Sequence, residues 1–269
     1  MSKLAGKRVV LTGASGGIGS EVAHLLVKRG ASIVLVGRGE SSLALLQSEL
    51  QQNKPSGEAG ITYVAADVTS EADREQVIEQ ALARMGGIDL LINLAGAMNF
   101  TEFSNEKPEI TEQLFRINVL APMHLSRMIV PHMVEKGSGQ IVNVGSIFGS
   151  IAFAWFASYS SAKFALRGFS EALRRELDGT GVGVTYIAPR AVRTSFNSDQ
   201  VTEMCHQLKM NMDEPDEVAL MIVNALESGA KDKYLGFPEK LFVRINSLFP
   251  RLVDKALSSQ NREAKRYIN

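Results

Sequence analysis

Apolar positions along the chain fall into two alternating kinds of stretch. Residues 8–12, 32–36, 61–65, 88–93, 140–144 and 182–187 are short runs rich in Val, Ile and Leu, most of them bounded by glycine. Runs of this length and density predict strands buried on both faces. Between them apolar residues recur at helical spacing: Ile18, Val22, Leu25 and Leu26 first, then residues 41–52, then Val77, Ile78, Ala81, Leu82 and Met85 within residues 70–85. Residues 110–135 and 157–177 predict two long helices. Strands alternating with helices imply an α/β fold, a doubly wound parallel sheet covered on both faces. Residues 53–60 read as a surface loop, and the sequence has no fixed-period repeat, low-complexity tract or interdomain linker.

The periodicity changes near the C-terminus. Leu241, Ile245, Leu248, Leu252 and Ala256 follow helical spacing, Phe242, Phe249 and Val253 widen the stripe, and Pro250 predicts a kink. Residues 1–236 therefore read as one sheet domain and residues 237–269 as its amphipathic helical extension. From position 239 onward seven bases face three acids, although the whole chain has a formal net charge of zero. Such a tail can lie on an anionic membrane or reach a lipid-like substrate, close the substrate pocket, or pack on a sister subunit.

Composition narrows the function classes. The length of 269 residues, 45% of them hydrophobic, can bury one large core. Zero net charge argues against nucleic acid as a partner, because phosphate binding needs a concentrated basic surface. Cys205 is the single cysteine, so no intramolecular disulfide forms, and His24, His124, His132 and His206 lack metal-ligand spacing. No metal is expected. The charged first seven residues precede no apolar segment of signal-peptide form, and the apolar run 147–157 is interrupted and far short of the ~20 residues of a spanning helix. A cytoplasmic protein without a transmembrane segment is the expectation.

Two motifs carry chemistry. A predicted strand ending at Thr12 runs into Gly13-Ala14-Ser15-Gly16-Gly17-Ile18-Gly19 and then a helix. Glycines admit close approach of a ligand, and helix-start N–H groups with the helix dipole attract phosphate, so this context predicts a dinucleotide site. Farther on, Tyr159 and Lys163 stand one helical turn apart on one face. A nearby ammonium favours the phenolate and is expected to lower the tyrosine pKa toward working pH, as a general acid/base requires. At the end of the second strand an acid would bind the ribose hydroxyls of NAD, whereas an arginine accommodates the 2′-phosphate of NADP. The chain reads Val36-Gly37-Arg38 there, with Ser15 as a further donor, which favours NADP, NADPH over NADH.

The order and spacing of these motifs resemble the short-chain dehydrogenases/reductases over about residues 7–236. Residues 12–19 match T-G-x-x-x-G-x-G, Asp67-Val68 the adenine-side pair, and Asn93-Leu94-Ala95-Gly96 the N-N-A-G element. Asn118 falls at the family's active-site asparagine, and Ser146 precedes Tyr159 by the usual gap. Pro189, Val192 and Thr194 lie in a turn like P-G-x-x-x-T. The resemblance implies a Rossmann-type fold and hydride transfer between nicotinamide and a carbonyl or alcohol carbon. Tyr159 then moves the proton, Ser146 is the second donor, Lys163 also holds the nicotinamide ribose, and Asn118 positions a water. The cofactor contacts implied are Gly13, Ser15, Gly16, Gly17, Ile18, Gly19, Arg38, Asp67, Val68, Asn93, Ala95 and Gly96, with Pro189, Val192 and Thr194 on the nicotinamide side. A homodimer or homotetramer is also implied.

Two residues depart from the pattern. Leu94 replaces the second asparagine, so the sheet must be tied otherwise there. Arg190 replaces a glycine beside the nicotinamide position, where it can face solvent, contact cofactor phosphates or meet an anionic part of the substrate. Phe148, Phe153 and Phe196, with Ile151, Trp155 and Phe156, either line an apolar substrate pocket or pack on a neighbouring subunit. An epimerase or dehydratase of the same superfamily would carry T-G-x-x-G-x-x-G instead. A catalytically idle cofactor-binding scaffold would lack Tyr159, Lys163 or Ser146, and all three are present.

Overall fold

In the computed structural model, which describes residues 2–54 and 60–268, the first apolar run forms β1 (Arg8–Thr12), and helix α1 (Gly17–Lys28) follows the glycine turn. The alternation continues through β2 (Ser32–Gly37), α2 (Glu40–Asn53), β3 (Ile61–Ala65), α3 (Glu71–Met85) and β4 (Leu90–Asn93). Of the expected loop 53–60, Asn53 ends α2, and residues 55–59 lie outside the described residues. Ser70 begins α3, its Oγ accepting from Asp73 N at 3.3 Å, an N-cap that satisfies one of the helix's free donors.

The predicted helix 110–135 is interrupted. α4 (Pro108–Phe115) passes through a π-helical turn at Arg116–Leu120 into α5 (Ala121–Lys136). Asn118 accounts for the turn: its Nδ2 donates to Leu114 O at 3.0 Å and to Ala97 O at 2.8 Å. A side chain that takes a carbonyl one turn back inserts into the helix ladder and widens it locally.

After β5 (Gly139–Val144) comes the long helix α6 (Ala157–Glu176), then β6 (Val182–Ala188) and a short β7 (Ala191–Val192). Next are α7 (Asp199–Gln207), β8 (Met212–Asp213), α8 (Pro215–Ser228) and β9 (Asp232–Tyr234). The sheet is parallel throughout, in the order β3-β2-β1-β4-β5-β6-β9, and β7 pairs with β8 apart from it. The chain reverses direction across the sheet between β1 and β4. In doubly wound sheets the crevice beyond the strands' carboxyl ends at this point receives the ligand.

Both sheet faces are covered. One core layer joins Leu11, Leu35 and Ile92 of the strands to Val22 and Leu26 of α1 and Ile222 of α8. The other joins Val10, Val36 and Leu91 to Val77 of α3 and Leu125 and Ile129 of α5. The missing amide at Leu94 is compensated by Thr12, whose Oγ1 accepts from both Leu94 N and Ala95 N at 3.1 Å.

Pro250 separates the tail into two helices instead of kinking one. α9 (Glu239–Leu248) ends at Phe249, which leaves helical geometry at φ −136°, ψ 61°, and α10 (Pro250–Ala264) begins with the proline in its first turn.

Candidate active site

The turn after β1 is shaped for close backbone packing. Gly13 has φ +69°, and a Cβ there would lie 2.9 Å from Ala95 backbone. A Cβ on Gly19 would lie 2.1 Å from Gly13 O, so these two glycines are fixed by the fold itself. Gly16 differs: its Cβ would meet only Gly13 O, at 3.3 Å, and the helix behind it has no side-chain cap. The first N–H groups of α1 therefore face a cavity of about 310 Å³ with the helix dipole behind them, a setting suited to phosphate oxygens.

That cavity runs from Ser15, Ile18 and Arg38 past Val68, Ala95 and Gly96 to Tyr159 and Thr194. At its outer end a Cβ on Gly37 would lie 3.3 Å from Ser15 Oγ, placing the hydroxyl beside the backbone that carries Arg38. The exposed Arg38 side chain makes no hydrogen bond or ion pair among the described residues. Asp67 also lines the cavity, but its Oδ1 accepts from Thr69 N at 2.9 Å and Thr69 Oγ1 at 2.8 Å. These bonds hold its carboxyl below the usual range. Glycine cradle, uncapped helix start and uncommitted arginine together could hold a dinucleotide.

At the inner end, Tyr159 and Lys163 project from one buried face of α6, and Lys163 Nζ lies 5.7 Å from the Tyr159 ring centroid. Lys163 Nζ donates to Val144 O at 3.2 Å. Ser146 follows β5, and its Oγ accepts from Phe148 N at 3.1 Å. The expected depression of the tyrosine pKa does not occur in this state. Burial pushes the Tyr159 phenol up to about 12, against the opposing hydrogen bond with Ser146. Burial likewise brings the Lys163 ammonium down to about 8. Desolvation disfavours the charged form of each group.

Several expected contacts fall elsewhere. Asn93 is absent from the cavity wall; its Nδ2 donates to Asn143 Oδ1 at 2.8 Å, and Asn143 in turn donates to Ser170 Oγ at 2.9 Å. It ties β4 to β5 and α6. Asn118 is buried, and its amide is engaged by backbone, although its Oδ1 lies against Gly96. Phe153 sits one layer behind the wall, stacked on Phe148 with ring centroids 5.6 Å apart.

Arg190 adopts none of the three expected roles. Arg190 borders the cavity, but its Nη2 and Nε donate to Asp213 Oδ1 at 2.6 and 3.0 Å, and its Nη1 donates to Glu239 Oε2 at 3.0 Å. The guanidinium is consumed in bracing β8 and the first residue of α9.

Pairing and packing beyond the motifs also shape the site. Met98, Phe148, Phe156, Phe196, Val201 and Met204 form its apolar wall, with Phe196 6.4 Å from Tyr159 between ring centroids. Ala264, Leu257 and Tyr267 of the tail pack behind that wall, and Trp155 Nε1 donates to Asn261 O at 2.9 Å. The tail thus closes the substrate side from behind. Glu106 was not legible as a site residue. It accepts from Asn99 at 2.8 Å, from Thr111 at 2.8 Å and from Ser158, the neighbour of Tyr159 in the first turn of α6. Asn99 and Thr111 are near it in sequence, but only the fold brings Ser158, 52 residues on, to this carboxylate, so no sequence spacing announces the link to α6.

A family model described as short chain dehydrogenase matches residues 7–204. Among curated relatives, the ketoacyl reductase HetN of Nostoc sp. is 32% identical over 262 residues, 95% of this chain and 89% of that protein. The 3-ketodihydrosphingosine reductase of Bos taurus is 32% identical over 239 residues, 87% of this chain and 72% of that protein. A short-chain dehydrogenase from Streptomyces avermitilis superposes with a TM-score of 0.80 at 27% identity, covering 95% of this chain and 98% of that one.

Proposed function

Since the chain belongs to the short-chain dehydrogenase/reductase family, whose members use nicotinamide cofactors, we propose that it is an NADPH-dependent reductase of a ketone borne on an apolar chain. The observation that carries this reading is the single cavity that joins the glycine turn to Tyr159, Ser146 and Lys163 under an apolar wall. Two relatives bear names that specify ketones, a ketoacyl group and a 3-ketodihydrosphingosine, and both classes would suit such a wall.

When bound, the nicotinamide supplies or accepts the hydride. Gly17 and Ile18 would offer N–H groups to its pyrophosphate, Gly16 closing the turn through its own N–H bond to Gly13 O at 3.1 Å, and Arg38 with Ser15 would offer donors to a 2′-phosphate. Tyr159 rests as a neutral phenol, the form that can give a proton to a carbonyl oxygen. Ser146 donates a second hydrogen bond to that oxygen, which matters most as negative charge gathers there. Once the phenol has lost its proton, the nearby Lys163 ammonium stabilises the phenolate that remains. The apolar wall keeps competing water away from this exchange. Leu120 at the end of the π-helical turn, Met123 of α5 and Phe164 of α6 are exposed and support assembly into a homodimer or homotetramer.

The test is NADPH oxidation by the purified protein against 3-ketoacyl thioesters, long-chain 3-ketones, hydroxysteroids and sugars. Turnover is expected with the first two groups. Tyr159→Phe should lower it by at least about 100-fold while cofactor affinity holds within about twofold. A Phe variant that kept most of its rate would remove Tyr159 as the acid/base.

A further inference from the structure

Helix α9 meets the body through one face. Val243 is buried there, and Asn246 Nδ2 donates to Ser150 O at 2.9 Å. Leu241, Ile245 and Leu248 share the opposite face at i, i+4 and i+7, with Phe242 beside them. Leu248 is 72% exposed, Phe237 before the helix 77%, and Phe249 and Leu252 after it 58% each. Single exposed apolar side chains are ordinary, whereas a run of them through one helix and the following turn forms a patch that marks an interaction surface.

Charge selects the partner. Arg251, Lys255 and Arg262 recur at i, i+4 and i+11 and share the outward face of α10, opposite Leu257 and Ala264. Lys240 and Arg244 flank the apolar face of α9. Among the described residues Lys240, Arg244 and Lys255 make no ion pair, and Arg262 bonds only Ser258 Oγ, at 2.7 Å. Arg251 reaches Asp254 at 3.7 Å with both side chains largely in water, a contact of little energy. A second copy of the chain fits poorly, because two-fold pairing through this patch would set one basic stripe against the other. An apolar interior beneath anionic headgroups matches both parts.

We propose that the outward faces of α9 and α10 dock on a membrane carrying anionic lipid, the Phe242–Leu248–Phe249 patch entering the acyl boundary and the Arg251–Lys255–Arg262 stripe meeting the headgroups. The inward face of α10 backs the apolar wall beside Tyr159, so docking brings the substrate side of the cavity to the bilayer. Binding of this kind is reversible and screened by salt.

Cosedimentation of the full-length protein with phosphatidylcholine vesicles, with and without phosphatidylserine, tests the surface. The protein should pellet with the mixed vesicles at low salt, remain in solution with phosphatidylcholine alone, and be released by high salt. The triple variant Arg251→Gln/Lys255→Gln/Arg262→Gln should lose about fivefold in partitioning per charge removed. Phe242→Ser/Leu248→Ser should lose at least about tenfold. All five positions are exposed, and unchanged melting temperatures confirm that the variants fold. Failure of the wild type to pellet with anionic vesicles at low salt overturns the proposal, as does equal pelleting of both variants. So does a wild-type oligomer, seen by light scattering, that dissociates in Phe242→Ser/Leu248→Ser, since the patch then belongs to a second copy. The assay needs no turnover, so its outcome is separate from that of the reductase reading.

Discussion

Burial shifts both Lys163 and Tyr159 toward their neutral forms, and for the lysine this has a consequence for stability. Below about pH 8 its ammonium is charged in both the folded and the unfolded chain, and folding pays to bury it. Between about 8 and 10.5 the folded chain releases the proton while the unfolded chain keeps it, so the penalty fades as pH rises. Lys163→Met removes the titration. In the cofactor-free protein, the stability of the variant relative to wild type should therefore fall by up to roughly 3 kcal/mol between pH 7 and pH 10.5. Denaturant melts across that range measure it; a difference that stays constant with pH would mean that Lys163 is not buried as a cation. Arg38 acts on a different quantity. Arg38→Ala should weaken NADPH by about 1–3 kcal/mol and leave NADH nearly unchanged, read by titration of each cofactor. Equal losses for both would remove Arg38 from the phosphate site.

At the scale of elements, the first turn of α6 is positioned by more than its own ladder. Glu106 receives donors from Asn99, Ser158 and Thr111, and although partial burial raises its carboxyl, these bonds outweigh it and hold the group below its ordinary value. The carboxylate also faces the positive end of the α6 dipole through Ser158. Glu106→Gln should cost about 1–2 kcal/mol at neutral pH. Because the folded pKa is depressed, this contribution is complete above the carboxylate range and is lost as pH falls through it. The wild-type advantage should shrink in acid; urea melts at neutral and acid pH check this. In turnover the same variant should lower kcat more than it raises KM, because Tyr159 is displaced without loss of the apolar wall. An unchanged kcat would limit Glu106 to stability.

For the whole molecule, Arg190 joins three parts of the chain that are distant in sequence: the loop after β6, Asp213 in β8 and Glu239 at the start of α9. Asp213 is buried, and among the described residues its Oδ2 has no hydrogen-bond partner, so Oδ1 depends on this arginine. Arg190→Met should destabilise the protein by about 3 kcal/mol by leaving that carboxylate uncompensated, and Asp213→Asn in the same chain should recover part of the loss. Hydrogen exchange in residues 239–248 should accelerate in the single variant. Protection of α9 at the wild-type level would show that the tail is held by its other contacts, such as Asn246 to Ser150.

Strands, glycine turn and the Tyr159–Lys163 pairing were legible in the sequence because each depends on neighbours within a few residues. An apolar run of five residues makes a strand buried on both faces, and a spacing of four places two side chains on one helical face. Family membership and the parallel α/β architecture followed from those local signs. Helix α8 carries a local signal of the same kind, Pro215 at its start, Gly229 after its end and Val218, Ile222 and Leu226 at helical spacing. Strand β9 carried none: Asp232-Lys233-Tyr234 is polar and pairs only with β6 at the sheet edge. Tertiary structure alone decided the rest. Asn118 sits in a π-helical turn and reaches Ala97, Arg190 finds acids 23 and 49 residues away, and Tyr159 titrates high because surrounding elements exclude water from it. Periodicity is a short-range property of the backbone, whereas burial and the partner of a charge are set by which distant segments the fold brings together.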